Sequence, residues 1–267
     1  NKPQTTRTRI MGVWTEGETQ LVFIDTPGLI KPKNSLGDYM VKSVTSSVAD
    51  VDACLLVVEA NTKISKADEE LVHRFKDLGV PALLAINKID LLQDKSVLME
   101  QIAKLSALYD FEAVVPVSAQ DGNGMDALRE ELIALAEPGG HFFSEDTLTD
   151  QPERAIVAEI IREKALHALD DEIPHGIAVA IDSMKERPGK NNLVDIEATI
   201  ICERDSHKGI IIGKQGAMLK KIGSNARYEL ERMLDAKVNL KIWVKVRKDW
   251  RDSDFMIKNF GYDKKEI

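Results

Sequence analysis

The sequence of 267 residues predicts an α/β domain with a mostly parallel sheet, followed by a smaller α+β domain. In the first half, short apolar runs alternate with amphipathic stretches, as in parallel strands joined by right-handed crossovers. The second half changes to helix, two strands, two helices and a last strand. We expect the first domain at 1–137, a polar and turn-rich linker at 138–152, and the second domain at 153–267.

In the first domain, apolar runs predict the strands and stretches of helical period predict the helices. The first two strands are separated only by residues 15–19, which are too few for a crossover. We therefore expect an antiparallel hairpin at the edge of the sheet. The predicted strands are 8–14, 20–25, 52–59, 82–87 and 113–117, and the predicted helices are 38–49, 67–78, 95–109 and 124–136.

In the second domain, the same criteria predict three strands and three helices. The helices are expected at 153–170, 206–212 and 217–234, and the strands at 175–184, 193–203 and 237–246. Trp243 falls inside the last strand and is interpreted as a core residue, whereas Trp250 fits either the core or a base-stacking surface.

Two tetrapeptides stand at the ends of apolar runs, 62 positions apart: Asp25-Thr26-Pro27-Gly28 and Asn87-Lys88-Ile89-Asp90. Ligands of open α/β sheets bind beyond the carboxyl ends of the strands, so both tetrapeptides lie where a ligand would sit. The Asp25 carboxylate can hold Mg²⁺, usually through water. Gly28 has no Cβ, and its N–H can therefore closely approach a terminal phosphate oxygen.

The second tetrapeptide has the chemistry of guanine recognition. The Asp90 carboxylate can accept hydrogen bonds from the N1–H and the exocyclic amine of guanine, a donor pair that adenine lacks. Asn87 can tie neighbouring loops together, and the stem of Lys88 can cover the face of the base. Ser118-Ala119 follows a further strand, and its backbone N–H could reach the guanine O6.

Each tetrapeptide alone also fits an ordinary strand-to-turn junction. The ordered set of three, each after a strand, favours a guanine nucleotide site. On these motifs the chain resembles the translational GTPase superfamily, and within it the Era family of bacterial GTPases of small ribosomal subunit assembly. The string Lys2-Pro3-Gln4-Thr5-Thr6-Arg7 resembles the first switch of that family.

The resemblance implies that the first domain is a P-loop-type GTPase domain that binds GTP or GDP with Mg²⁺. Thr6 would sense the γ-phosphate and Mg²⁺, Asp25 would be the second metal-binding residue, and Gly28 would serve catalysis with Thr6. Leu29 follows Gly28 where many GTPases carry a glutamine that orients water. Hydrolysis should therefore depend on Mg²⁺, the phosphate loop, and a bound monovalent cation or a partner.

The sequence contains no G-x-x-x-x-G-K-[ST] phosphate loop. We expect that the chain is N-terminally incomplete, without the first strand and the phosphate loop of the family. As given it should be inactive, whereas the full-length protein should hydrolyse GTP to GDP and phosphate. The alternative is a nucleotide-independent RNA-binding module attached to a degenerate GTPase domain.

The charge is uneven along the chain. Residues 1–150 carry 14 basic and 24 acidic side chains, whereas 204–251 carry 13 basic against 5 acidic ones. A locally basic second domain indicates a polyanionic partner, although a solvated basic face remains the alternative.

The element order of the second domain, with Gly213-Lys214-Gln215-Gly216 between two helices, resembles a type II KH domain. Glycines let the backbone approach a single strand, and Lys214 can meet a phosphate. A helix-capping turn is the alternative explanation of the loop. Beside it, the candidate RNA-binding residues are Ile210, Ile211, Ile212, Lys220, Lys221 and Arg227. The family resemblance implies as partners the 3′ end of 16S ribosomal RNA and the 30S subunit. It also implies a short terminal helix at about 253–260.

Composition adds little more. No stretch of about 18 apolar residues is present, so no membrane-spanning helix is expected. Cys54 and Cys202 lie in strand-like runs and predict two buried, reduced thiols of a cytoplasmic protein. The resemblance implies a monomer that can associate peripherally with the inner face of the cell membrane.

Overall fold

The computed structural model describes residues 9–25, 34–48, 51–169, 176–189 and 192–260. The chain divides into two compact units. The first unit comprises Met11–Asp25 and Val44–Thr149, and the second comprises the described residues within Thr26–Ser43 and Asp150–Ile267, together with the start of the first strand.

The first unit is built around a parallel sheet of β3 (Cys54–Glu59), β4 (Ala82–Asn87) and β5 (Ala113–Pro116), in that order. The central strand β4 is buried along almost its whole length, which explains its uninterrupted apolar sequence. The strands are connected by helices, as predicted, namely α2 (Lys66–Leu78) and α3 (Lys95–Ser106), and the predicted helix α4 (Met125–Ala134) follows β5.

The hairpin consists of β1 (Ile10–Glu16) and β2 (Thr19–Asp25), joined by a turn at Gly17, where φ is 59°. Among the described residues it forms a two-stranded sheet of its own, so its expected place at the edge of the parallel sheet was wrong. A different segment pairs with the β1 edge of the hairpin. The N–H of Val13 donates to the carbonyl of Leu148 at 2.8 Å.

Much of the expected linker is hydrogen bonded to the hairpin. The side-chain oxygen of Gln20 accepts from the backbone N–H groups of Phe142 and Phe143, at 2.9 and 3.0 Å. Its amide nitrogen donates to the Phe143 carbonyl at 3.0 Å. The Thr149 hydroxyl donates to the Met11 carbonyl at 2.5 Å. Residues 142–149 are therefore held by the first unit, and the unit boundary follows Thr149.

The second unit has a three-stranded sheet of β6 (Ala178–Glu186), β7 (Leu193–Cys202) and β8 (Lys237–Val246). β6 and β7 are antiparallel, and β7 and β8 are parallel. The predicted helices are confirmed, with end shifts of a few residues: α5 (Glu153–Ala168), α6 (Asp205–Ile212), α7 (Ala217–Met233) and α8 (Asp254–Asn259). The predicted ends of the first helix and first strand, between 170 and 175, lie outside the described residues.

The helix α1 (Ser35–Val48), which follows the first tetrapeptide, contributes to the core of the second unit. Its side chains Leu36, Tyr39 and Met40 are at most 4% exposed. They form one apolar cluster, whose other buried members are Ala178, Ile201, Trp250 and Ile257. The first half of α1 is thus packed in the second unit, although the sequence predicts it as part of the first domain.

The two tryptophans of the C-terminal region have opposite environments. Trp250 is fully buried, donates its Nε1–H to the Gly176 carbonyl at 3.0 Å, and packs edge-to-face on Phe260. Trp243 was predicted to be a core residue and is 43% exposed. The correction follows from strand alternation, because the next residue, Val244, faces the core.

Cys54 and Cys202 are buried and free, as predicted, and burial raises the pKa of both thiols. Among the residues that the structure describes, no helix combines the length and hydropathy that crossing a membrane requires.

The contrast between the tryptophans is testable. We predict that Trp250→Ala lowers the free energy of unfolding by about 3–5 kcal/mol, because it leaves a cavity in the cluster that also holds α1. The matched change Trp243→Ala should cost less than about 1 kcal/mol, since that side chain is partly solvated and lies outside the apolar core. Urea denaturation followed by near-UV circular dichroism measures both. Equal losses in the two variants would contradict the assignment of Trp250 as a core residue.

Candidate functional site

The carboxyl edge of the parallel sheet brings together the residues that the sequence singled out in two separate motifs. Asn87 ends β4, and Asp90 lies in the short 3₁₀ turn Ile89–Leu91 that follows it. Ser118 and Ala119 come directly after β5 and Val117. Since β4 and β5 are neighbouring parallel strands, the two loops emerge side by side.

The Asp90 carboxylate is exposed and held in place by a buried hydroxyl. Ser118, which is 1% exposed, donates from its Oγ to Asp90 Oδ1 at 2.7 Å. The hydroxyl fixes the direction of the carboxylate plane before any ligand arrives. A preoriented carboxylate at the mouth of two loops suits the adjacent N1–H and amine donors of guanine.

Asn87 ties the two loops together, in the way that the sequence suggests. Its Oδ1 accepts from the N–H of Lys88 at 2.7 Å and from the N–H of Ala119 at 3.0 Å. The N–H of Ser118 donates to the Asn123 carbonyl at 2.8 Å. Both N–H groups of Ser118-Ala119 therefore donate within the protein. For Ala119 to contact the guanine O6, its N–H must be shared between the base and the side chain of Asn87.

The loop after β5 depends on a glycine that the sequence analysis missed. Gly124 has a φ of 75°, and a Cβ built on it would lie 2.3 Å from the Pro116 carbonyl oxygen. No side chain fits there without a backbone shift, so this glycine lets α4 start directly against β5. The signal was present as the turn-forming string Gly122-Asn123-Gly124.

The sequence analysis also missed the partner of Lys88. Its ammonium lies 2.7 Å from the Glu59 carboxylate. Glu59 ends β3 and is the register partner of Asn87 across the sheet. No local pattern relates Glu59 to Lys88, because the contact depends on which strands are neighbours.

On the phosphate side, Asp25 ends β2 and is exposed. The other predicted residues of this side, Thr6, Thr26, Pro27 and Gly28, lie outside the described residues. The donor chemistry of Asp25 fits Mg²⁺, which prefers carboxylate oxygens and keeps several of its waters.

In the second unit, the loop Gly213–Gly216 connects α6 to α7 through unusual backbone angles. The φ values of Gly213, Gln215 and Gly216 are 72°, 52° and 79°. A Cβ at Gly213 would lie 2.7 Å from the Cβ of Met218, so this position is sterically restricted. Nothing lies within 4 Å of a Cβ at Gly216, which leaves the backbone there open to a ligand strand.

The basic side chains around this loop are exposed, namely Lys214, Lys220, Lys221 and Arg227, and so is Gln215. Of the three isoleucines expected to wall the groove, Ile210 is 49% exposed, Ile211 is fully buried in the core, and Ile212 packs against the core. The prediction that Ile211 contacts RNA is therefore wrong. Successive helical residues point about 100° apart, so three in a row cannot share one face.

Comparison with known proteins assigns a family to each half. Residues 4–138 match the family described as the elongation factor Tu GTP binding domain, and residues 172–251 match the KH domain. The curated GTPase Era of Ruminiclostridium cellulolyticum is 52% identical over 262 residues, which are 98% of this chain and 87% of that protein.

Two crystal structures match almost the whole chain. A variant of Aquifex aeolicus Era bound to GDP and AlF4⁻ has a TM-score of 0.92 at 38% identity, with 97% of this chain and 88% of that chain covered. Era in complex with MgGDPNP and nucleotides 1506–1542 of 16S ribosomal RNA has a TM-score of 0.92 at 37% identity, with the same coverage. The predicted fold class, a P-loop-type GTPase domain followed by a KH domain, is confirmed by these matches.

Proposed function

The chain belongs to the Era family of GTPases, and on that premise we propose that it is a guanine nucleotide switch that binds the 3′ end of 16S ribosomal RNA. It binds GTP and GDP with Mg²⁺ and hydrolyses GTP to GDP and phosphate. The observation that carries the proposal is that one chain presents an oriented Asp90 carboxylate and, in its second unit, an open glycine loop with exposed lysines.

In this function each described loop has a distinct task. Asp90 selects guanine, Asn87 holds the two base-binding loops together, and the stem of Lys88 covers the base. Asp25 would hold Mg²⁺ through water, and the ion would offset the charge of the phosphates. In the second unit, Gly216 lets the RNA backbone approach, Lys214 meets a phosphate, and Ile210 offers apolar surface to a base.

We further propose that the nucleotide controls RNA binding through α1. Asp25 ends β2 in the first unit, whereas Leu36, nine residues after the Thr26-Pro27 pair, is already buried in the second unit. Only ten residues separate Asp25 from Leu36, so the chain offers a direct covalent route from the phosphate side to α1.

The family resemblance supports the finer parts of the proposal. The protein would act as a monomer in assembly of the 30S subunit, in the cytoplasm, with peripheral contact to the inner face of the cell membrane. Because Leu29 stands where many GTPases carry a glutamine, water would be positioned with the help of a monovalent cation or a partner.

The proposed base contact predicts a change of nucleotide preference. In the intact protein, Asp90→Asn should weaken GTP binding at least about 100-fold, because the amide cannot accept both guanine donors. Xanthosine triphosphate should bind better than GTP to this variant, since the amide can donate to the extra carbonyl of xanthine. Competition binding with the two nucleotides measures the change.

A matched control is Asp77→Asn, which makes the same substitution at an exposed position near the end of α2. It should leave the preference for GTP unchanged. The base assignment fails if Asp90→Asn retains the affinity of the wild type for GTP.

The proposed RNA contact predicts a loss of affinity when negative charge is placed on the glycine loop. Changing Lys214 and Gln215 both to Asp should weaken binding of a single-stranded RNA at least tenfold, or about 1.4 kcal/mol. The slope of log affinity against log salt should also fall by roughly 0.7 for the lost phosphate contact. Titration of a fluorescent RNA at two salt concentrations measures both effects.

The control is Lys76→Asp with Gln93→Asp, which makes the same charge change at exposed positions of the first unit. The intact protein is used because residues 150–267 alone would lack the side chains of α1 that complete their apolar cluster. If the loop variant and the control variant bind RNA equally, the RNA site lies elsewhere.

A further inference from the structure

A buried glutamine on α3 is bonded to the loop that follows β3. Gln101 is only 6% exposed. Its Nε2 donates to the Glu59 carbonyl at 3.0 Å, and its Oε1 accepts from the N–H of Asn61 at 3.0 Å. Both polar ends of one side chain are thus satisfied by a single backbone turn, outside all the motifs that identify the nucleotide site.

The loop that Gln101 holds is itself bonded to the guanine motif. The N–H of Ala60 donates to the Asn87 carbonyl at 2.7 Å, and the Thr62 hydroxyl closes the turn by donating to the Glu59 carbonyl at 2.6 Å. Asn61 adopts a φ of 60°, in the left-handed region that asparagine enters more readily than most residues. The hydrogen bond from its N–H to Gln101 ties this turn to α3.

The same loop fixes the charged end of the base-covering lysine. The carboxylate of Glu59 lies 2.7 Å from the ammonium of Lys88, and the two side chains are 38% and 30% exposed. Lys88 itself has a φ of 67°, so its backbone is also in the left-handed region. A chain of direct contacts therefore runs from Gln101 through Glu59 to Lys88.

We propose that Gln101 is a positioning residue for the guanine site, acting through Glu59 on Lys88. The proposal rests on the proposed function, because it assigns a second layer to the same nucleotide site. Glutamine suits the position since its amide donates and accepts at once. A carboxylate there could not donate to the Glu59 carbonyl, and an apolar side chain would remove the partner of the Asn61 N–H and leave the Glu59 carbonyl with the Thr62 hydroxyl.

The experiment measures the dissociation rate of fluorescent N-methylanthraniloyl-GDP from the intact protein. Gln101→Met keeps the length and apolar volume of the side chain and removes both hydrogen bonds. We expect GDP to leave about 10-fold faster, because Lys88 is no longer held over the base. Lys88→Met should have an effect of at least the same size.

A double-mutant cycle separates positioning from general stability. If Gln101 acts through Lys88, the variant carrying both changes should release GDP at the rate of Lys88→Met alone. The matched control is Leu105→Ala, a fully buried residue of the same helix that belongs to the apolar core of the unit. It should lower the melting temperature at least as much as Gln101→Met and leave the GDP dissociation rate within twofold of the wild type.

Three results would overturn the proposal. The first is a GDP dissociation rate in Gln101→Met equal to that of the wild type, and the second is full additivity of the two changes in the cycle. The third is equally fast GDP dissociation in Leu105→Ala and Gln101→Met, which would assign Gln101 to stability alone. Failure of the wild-type protein to bind the fluorescent GDP at all would instead contradict the proposed function itself.

Discussion

The packing of α1 in the second unit is the constraint on which the proposed switch depends. One helix belongs to both compact units, with the division between Ser43 and Val44. Burial of a large apolar side chain contributes about 1.5–3 kcal/mol, so Leu36, Tyr39 and Met40 together hold the start of α1 firmly. The start of α1, ten residues after Asp25, is thereby held in the core of the second unit.

The two functional loops obtain their geometry in different ways. At the carboxyl edge of the parallel sheet, side chains do the positioning, with Ser118 holding Asp90 and Asn87 bridging two loops. At the loop between α6 and α7, the backbone does it, since Gly213 has no room for a Cβ and Gly216 lies open. A planar base needs donors and acceptors in fixed directions, whereas a sugar–phosphate strand needs mainly access and charge.

Much of the fold follows from the sequence alone, because local patterns decide it. The uninterrupted apolar run of β4 marks a strand covered on both faces, and the glycine loop within its element order marks the second domain. Which face of a helix or strand a residue occupies depends on its rotation about the axis of that element. Two predictions of exposure were wrong because they did not take this rotation into account. Ile211 and Trp243 each lie next to a residue with the opposite exposure.

The rest depends on tertiary contacts that no local window contains. The hydrogen bond between Val13 and Leu148 joins positions 135 apart, so no local pattern reveals which segment pairs with β1. Gln101 and Glu59 have no motif, since their roles arise from the register between β3 and β4 and from the packing of α3. The place of α1 in the second unit was likewise hidden, because its apolar face fits either unit equally well by periodicity.

The most direct measurement compares RNA affinity in the GDP form and in a non-hydrolysable GTP analogue form of the intact protein, with and without the change Met40→Ala. Met40 is 2% exposed in the α1 cluster. Asp38 lies in the same helix but on its exposed side, so Asp38→Ala serves as the control. We predict that the GDP form and the GTP-analogue form differ in RNA affinity, both in the wild type and in Asp38→Ala. In Met40→Ala this difference should fall to less than about twofold, because a loosened α1 no longer transmits the change. An undiminished difference in Met40→Ala, or equal affinities of the two wild-type forms, would contradict this prediction.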